Sequence, residues 1–151
     1  MSAFTISRST AIAAAPEQVR ARVEDFHAWR AWSPWEDLDP KLSRSYTGPE
    51  RGVGATYAWE GNRKAGAGSM EITAATPVSL TIVLRFLKPW RATNQVVFTF
   101  APDGADTHVT WTMTGTHTGL AKLFARFINV EKLIGPDLEK GLARLKELAE
   151  N

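Results

Sequence analysis

The stretch WRATNQVVFTFAPDGADTHVTWTMTGT, Trp90 to Thr116, reads as two strands and a turn. Trp90, Ala92, Asn94, Val96, Phe98 and Phe100 fall at every second position, as do Val109, Trp111, Met113 and Gly115. Side chains two apart point to the same face of a strand. Thr110, Thr112 and Thr114 occupy the opposite face. PDGADT between the runs has turn chemistry. One apolar face and one threonine face imply antiparallel strands covered on one side and wet on the other.

The same period extends upstream. SLTIVLRFLKP puts Leu80, Ile82, Leu84 and Phe86 on one face, and GAGSMEITAATP is a strand closed by Pro77. GATYAWEG alternates Tyr57 with Trp59, GNRKAG is a hairpin turn, and SRSYTG is a short strand before Gly48-Pro49. At the start of the chain, FTISRSTAIA places Phe4, Ile6, Arg8, Thr10 and Ile12 on one face.

Helical signals lie on either side of these strands. APEQVRARVEDFHAWRAW carries Val19, Val23 and Phe26 at helical spacing, with Pro16 and Glu17 in the first turn. A second short turn is expected over Phe26 to Trp32, ended by Pro34. GLAKLFARFINVEKLIGPDLEKGLARLKELAEN continues the helical period through Leu120, Leu123, Phe124, Phe127, Ile134, Leu138, Leu142 and Leu145. Gly135-Pro136 is expected to kink or restart it, because an internal proline loses a backbone bond and crowds the preceding turn. Strands and helices kept apart imply an α+β fold. The expected architecture is a curved antiparallel sheet of six or seven strands wrapped around the long C-terminal helix, with two short helices after the first strand.

Composition narrows the function classes. The chain has 151 residues, a length that suits one domain spanning 1–151. Net charge is +2 with scattered bases, which argues against nucleic acid as the main partner. Without cysteine there is no disulfide, thiolate metal site or Cys nucleophile. No apolar run reaches the roughly 18 residues of a membrane span. MSAFTISRST has no apolar core of a signal peptide, so a cytoplasmic location is expected.

The order of elements resembles the SRPBCC superfamily, also called START-like, Bet v 1-like or helix-grip, and within it the polyketide cyclase/dehydrase-like group. AIAAAPEQVRARVEDFHAWRAWSPW carries the resemblance, together with GVGATYAWEG, FLKPWRATNQVVFTF, DTHVTWTM and GLARLKEL. The resemblance covers nearly the whole chain. It implies a cavity between sheet and helix that holds apolar or amphipathic small molecules. Some relatives carry ligands and some cyclise or dehydrate polyketides, so the fold does not choose among these roles.

The candidate ligand-binding residues are the inward aromatic and small ones. They are Trp32, Trp35, Tyr57, Trp59, Gly68, Met70, Phe86, Trp90, Asn94, Phe98, Phe100, Trp111, Met113, Phe124 and Phe127. Trp29 is assigned to packing, while Trp32 and Trp35 are expected at a cavity mouth. Gly66, Gly68 and Gly115 either leave room for a ligand or allow close backbone approach. Tyr57, Asn94 and His117 are the candidates for proton transfer or oxyanion contact. Asn94 is equally suited to a buried water or a neighbouring strand, and His117 to an exposed strand end. Arg8 is expected to turn outward toward an acid such as Glu71.

Glu36, Asp37 and Asp39 are expected to be solvated, with Asx-type turns around Pro40 and no metal. Nucleophile-elbow, phosphate-loop, zincin and dinucleotide motifs do not occur, and no cofactor is expected. Ligand binding therefore leads, ahead of a cyclase or dehydratase using the same pocket. Third comes a co-chaperone-like interaction module using the outer sheet face. In any of these roles the chain is expected to be a monomer or homodimer.

Overall fold

The computed structural model describes residues 2–36, 38–63, 65–88, 91–117 and 130–151. Seven strands form one antiparallel sheet: β1 Ser2–Ile12, β2 Ser43–Thr47, β3 Thr56–Glu60, β4 Ala67–Thr76, β5 Ser79–Lys88, β6 Ala92–Asp103 and β7 Asp106–His117. Their spatial order is β1-β7-β6-β5-β4-β3-β2, so each strand from β2 to β7 pairs with its sequence neighbour. Strand β1 closes the far side by pairing with β7 along its full length, from Ser2 opposite His117 to Ile12 opposite Thr107.

The period-two reading of β6 and β7 fixes the inner face. Val96, Phe98, Phe100, Val109, Trp111 and Met113 are all buried, and Phe98 lies opposite Trp111. Helix α1, Pro16–Val23, starts on its proline and buries Val19 and Val23. A 3₁₀ segment, Phe26–Ala31, follows, and the Asp25 side chain accepts a hydrogen bond from the His27 backbone N–H at 2.9 Å. A 3₁₀ turn stacks residues three apart, and the rings of Trp29 and Trp32 sit 4.5 Å apart. Their indole N–H groups then do a second job. Trp29 donates to the Val23 carbonyl at 2.8 Å and Trp32 to the Arg22 carbonyl at 3.0 Å. These two carbonyls belong to the end of α1, where no further helical turn is present to satisfy them.

Helix α2, Val130–Glu150, packs on the inner face through Leu138, Leu142 and Leu145. It continues through Pro136 as one helix, so of the kink or restart that the sequence predicts there is no restart. A proline removes a single backbone donor, and burial of the three leucines on the same helix outweighs that loss. Arg8 also departs from expectation. It stays on the inner side of β1, donates to the Ser7 carbonyl at 2.8 Å and pairs with Glu139 of α2 at 3.7 Å. Glu71 instead pairs with Arg85 across β4 and β5, at 3.8 Å. None of the described helices is long and apolar enough to cross a membrane.

Candidate functional site

The inner face has a filled half and an open half. Trp32, Phe98, Phe100 and Trp111 fill the first half, each almost fully buried. Phe98 stacks on Trp111 at 4.9 Å, and Trp32 meets Trp111 edge-on at 5.6 Å. These four residues were expected around a ligand; the structure places them in the core. Trp32 is held there because its indole bonds the end of α1 while its ring wedges against Phe98 and Trp111.

The open half encloses a cavity of about 320 Å³, within the size range of small-molecule pockets. Its floor follows from strand register. Tyr57 lies opposite Met70, Met70 opposite Leu84, and Leu84 opposite Asn94, making one straight row across β3, β4, β5 and β6. All four line the cavity. The next row is Trp59, Gly68, Phe86 and Ala92. A Cβ on Gly68 would strike the Trp59 ring and the Arg85 carbonyl. Gly68 therefore makes room for Trp59, which leans across it toward Phe86, with ring centroids 6.0 Å apart. The space that the sequence offered to a ligand at this glycine belongs to Trp59.

Gly115 makes room of the same kind. A Cβ there would collide with the Asn94 carboxamide and the Phe4 ring. Asn94 can thus lie over β7, where its amide N–H reaches Met113 Sδ at 4.0 Å. That is its one hydrogen bond among the described residues, and a thioether is a weak acceptor. Phe4, Asn94 and Met113 all face the cavity, with Ile134 of α2.

The rim comes from the segment between the 3₁₀ turn and β2. Trp35 lines the cavity and meets Trp111 edge-on at 5.6 Å, joining the open half to the filled half. Leu38, Leu42 and Ala65 complete the mouth. The loop is laced to the β3–β4 hairpin. Asp39 accepts from the Asn62 backbone N–H at 2.8 Å, and the Asn62 side chain donates to the Leu38 carbonyl at 3.2 Å. Asp39 also accepts from the Lys41 N–H at 2.8 Å, the Asx-type turn expected around Pro40. The Trp59 indole fastens the hairpin tip by donating to the Ala65 carbonyl at 2.9 Å.

Glu36 overturns its expected position in solvent. Its side chain is 10% exposed and lines the cavity. Arg44 of β2 donates to Oε2 through Nε at 2.9 Å and through Nη2 at 2.5 Å. The Tyr57 hydroxyl reaches Oε1 at 3.5 Å. Burial first, and the negative charge of Glu36 second, push the Tyr57 phenol well above its ordinary range. Burial alone would lower Arg44, but the bond and charge of Glu36 override it and raise the guanidinium. Tyr57 is therefore a neutral hydroxyl at ordinary pH, suited to donating a hydrogen bond rather than to acting as a phenolate base.

Sequence reasoning missed Phe4, Ser33, Glu36, Leu38, Leu42, Leu84, Ile134 and Ala65, and assigned Trp29 to packing although it also lines the cavity. Leu84 had the strand period as a signal; the loop residues had none. Trp90, Phe124, Phe127 and Asp37 lie outside the described residues, as does the side chain of His117, whose backbone ends β7. Among the described residues no cluster of three or more His, Asp or Glu could hold a metal.

Comparison with known proteins agrees with this architecture. The sequence model of the family described as "Polyketide cyclase / dehydrase and lipid transport" matches residues 3–150. No curated protein sequence matches the chain. Among solved structures, the Aha1 dimer from Colwellia psychrerythraea is 17% identical with a TM-score of 0.69, covering 97% of this chain and 96% of that one. Norcoclaurine synthase from Thalictrum flavum, in complex with dopamine and hydroxybenzaldehyde, is 10% identical with a TM-score of 0.69, covering 97% of this chain and 86% of that one. The di-domain ARO/CYC BexL is 15% identical with a TM-score of 0.72, and the match covers 99% of this chain and 50% of that one. At these identities the likeness is one of fold, the Bet v 1-like helix-grip.

Proposed function

The chain belongs to the polyketide cyclase/dehydrase and lipid transport family, and we propose that it binds a small apolar or amphipathic molecule in the cavity between sheet and α2. The observation that carries this reading is the row Tyr57, Met70, Leu84 and Asn94, three bulky side chains ending on a carboxamide whose one described bond is to a sulfur at 4.0 Å. An underused amide in an apolar wall fits a ligand carbonyl or hydroxyl, because buried polar groups are otherwise paired. Trp35, Trp59, Phe86 and Met113 supply the apolar contact, and Trp35 stands at the mouth. Of the sequence candidates outside the described residues, Trp90, Phe124 and Phe127 keep the same assignment.

The rival is a cyclase or dehydratase reaction in the same pocket, with Tyr57 as donor. The Tyr57 hydroxyl beside Glu36, a donor next to a carboxylate at 3.5 Å, favours it. Against it, Arg44 occupies Glu36 Oε2 with two bonds, which leaves the carboxylate poorly placed to take a proton. A co-chaperone-like role ranks third. Among the described residues the exposed large hydrophobics are Val53, Val78 and Leu87, with no aromatic centre of the kind a protein interface uses. We place the protein in the cytoplasm, as a monomer or homodimer.

The test is titration with N-phenyl-1-naphthylamine, an uncharged dye that fluoresces in apolar sites. The native protein should bind it, and Leu84→Trp, which fills the floor of the cavity, should weaken binding at least tenfold while melting cooperatively. Unchanged dye affinity in a folded Leu84→Trp protein sinks the reading. Mass spectrometry of molecules released on denaturation then identifies any natural ligand.

A further inference from the structure

The cavity has an electrical asymmetry. Glu36 is the one charged side chain among its described lining residues. The compensating Arg44 is not part of the lining and binds Glu36 through Oε2. Oε1 has the Tyr57 hydroxyl at 3.5 Å, the outer limit of a hydrogen bond. The counter-charge is thus bonded to Oε2, outside the lining, and Oε1 is the weakly engaged oxygen of a carboxylate that lines the cavity. Tyr57 lies in the same field: burial first, and the charge of Glu36 second, raise its phenol.

Resting on the ligand-binding reading above, we propose that Glu36 sets the charge class of the ligand. The cavity admits uncharged molecules that carry a hydrogen-bond donor, such as an alcohol, phenol or amide, and excludes carboxylates of the same shape. Two physical effects act together. A ligand carboxylate would be stripped of water in an apolar cavity with no lining cation among the described residues, which is costly. It would also face a like charge. With Arg44 offsetting part of the field, an effective dielectric near 20 leaves a discrimination of about tenfold. A ligand O–H or N–H gains instead, since Oε1 can accept a charge-assisted bond. Asn94, which both donates and accepts, would hold a second polar atom without regard to charge.

The experiment displaces N-phenyl-1-naphthylamine with 2-naphthamide and with 2-naphthoate at pH 7. These competitors share one shape and differ in charge. In the native protein the amide should displace the dye at a concentration about tenfold lower than the carboxylate. In Glu36→Gln the carboxylate is gone and Arg44 is left uncompensated, so the gap should close at least fivefold. Equal displacement in the native protein overturns the proposal even if the variant does not fold. A gap that persists in a folded Glu36→Gln protein assigns the selectivity to desolvation alone and removes Glu36 from it. If the dye does not bind the native protein at all, the ligand-binding reading fails first, and this proposal fails with it.

Discussion

Trp32 and Trp35 are three residues apart, and replacing each by alanine should have opposite consequences. Trp32 is 0% exposed, edge-on against the stacked pair Phe98 and Trp111, and bonded to the Arg22 carbonyl at the end of α1. Truncating a buried tryptophan costs about 3–5 kcal/mol through lost burial and the cavity left behind. The freed Arg22 carbonyl adds about 1 kcal/mol if it stays unpaired. For a chain of this length each kcal/mol moves the melting temperature by about 2–4 °C, so Trp32→Ala should lower it by roughly 8–24 °C. Trp35 is only partly buried, and its ring makes one edge-on contact with Trp111. Trp35→Ala should cost about 1–2 kcal/mol, a typical partly buried substitution. Its larger effect should be on binding. Losing about 40 Å² of apolar contact to a ligand is worth about 1 kcal/mol, or fivefold in affinity.

The assay is thermal melting by circular dichroism beside N-phenyl-1-naphthylamine titration, with affinity expressed per folded molecule. The expected pattern is a double dissociation. Trp32→Ala melts early and keeps its affinity below the transition, while Trp35→Ala melts near the native protein and binds weakly. Equal destabilisation by both, with affinity untouched in Trp35→Ala, would make Trp35 a core residue and remove the rim. A Trp32→Ala protein as stable as the native one would mean that the filled half of the sheet is not the core described above.

Asn94→Leu removes the polar group from the cavity wall with little change in volume. Stability should hold within about 1 kcal/mol, because the amide's described partner is a weak one, while displacement by 2-naphthamide weakens several-fold; an unchanged displacement midpoint would refute the assignment. Gly115→Ala pushes a Cβ into the Asn94 carboxamide and the Phe4 ring, so it should lower stability by about 1–3 kcal/mol, measured by urea unfolding. Tyr57 gives a pH prediction. Its folded pKa is raised above the ordinary 10.0, so between that pH and the folded value the unfolded chain holds fewer protons than the native one. The stability it contributes is therefore complete below about pH 10 and lost above it, at up to about 1.4 kcal/mol per pH unit. Tyr57→Phe should flatten that alkaline loss in urea unfolding from pH 9 to 11; an identical slope would refute the burial of the phenol.

The sheet was legible because a strand writes its burial into every second letter. Val96, Phe98 and Phe100 against Val109, Trp111 and Met113 fix both the inner face and the antiparallel pairing of β6 with β7. The C-terminal helix was legible from Leu138, Leu142 and Leu145, and the two short helices from Pro16 and Pro34. The helix through Pro136 was not, because proline's local cost can be read from sequence while the packing that opposes it is set by a sheet over a hundred residues wide in sequence. The period also overreached at the site. It names which residues face inward, but filled and open halves share that face. Phe98 and Met70 are equally inward by counting, and only the positions of Trp29 and Trp32 over the sheet decide that one is core and the other cavity wall.

Glu36 shows the deeper reason that a site escapes such reading. A carboxylate next to Trp35 and before Asp39 looks like part of a wet acidic loop, and burial of an unpaired charge would be prohibitive. What permits it is Arg44, eight residues on and placed on the edge strand β2, with Tyr57 presented from β3. Arg44 shares one face with Tyr46 on a strand too short to carry a strong pattern, so nothing marks it in advance as a buried partner. The pairing exists only once β2 has docked on β3 in register, Arg44 opposite Trp59 and Tyr46 opposite Tyr57. The charge in the cavity is thus a product of sheet assembly at its edge. It follows that disturbing this edge should alter ligand charge preference before it alters the core, since the filled half around Trp32, Phe98 and Trp111 is built on the other strands.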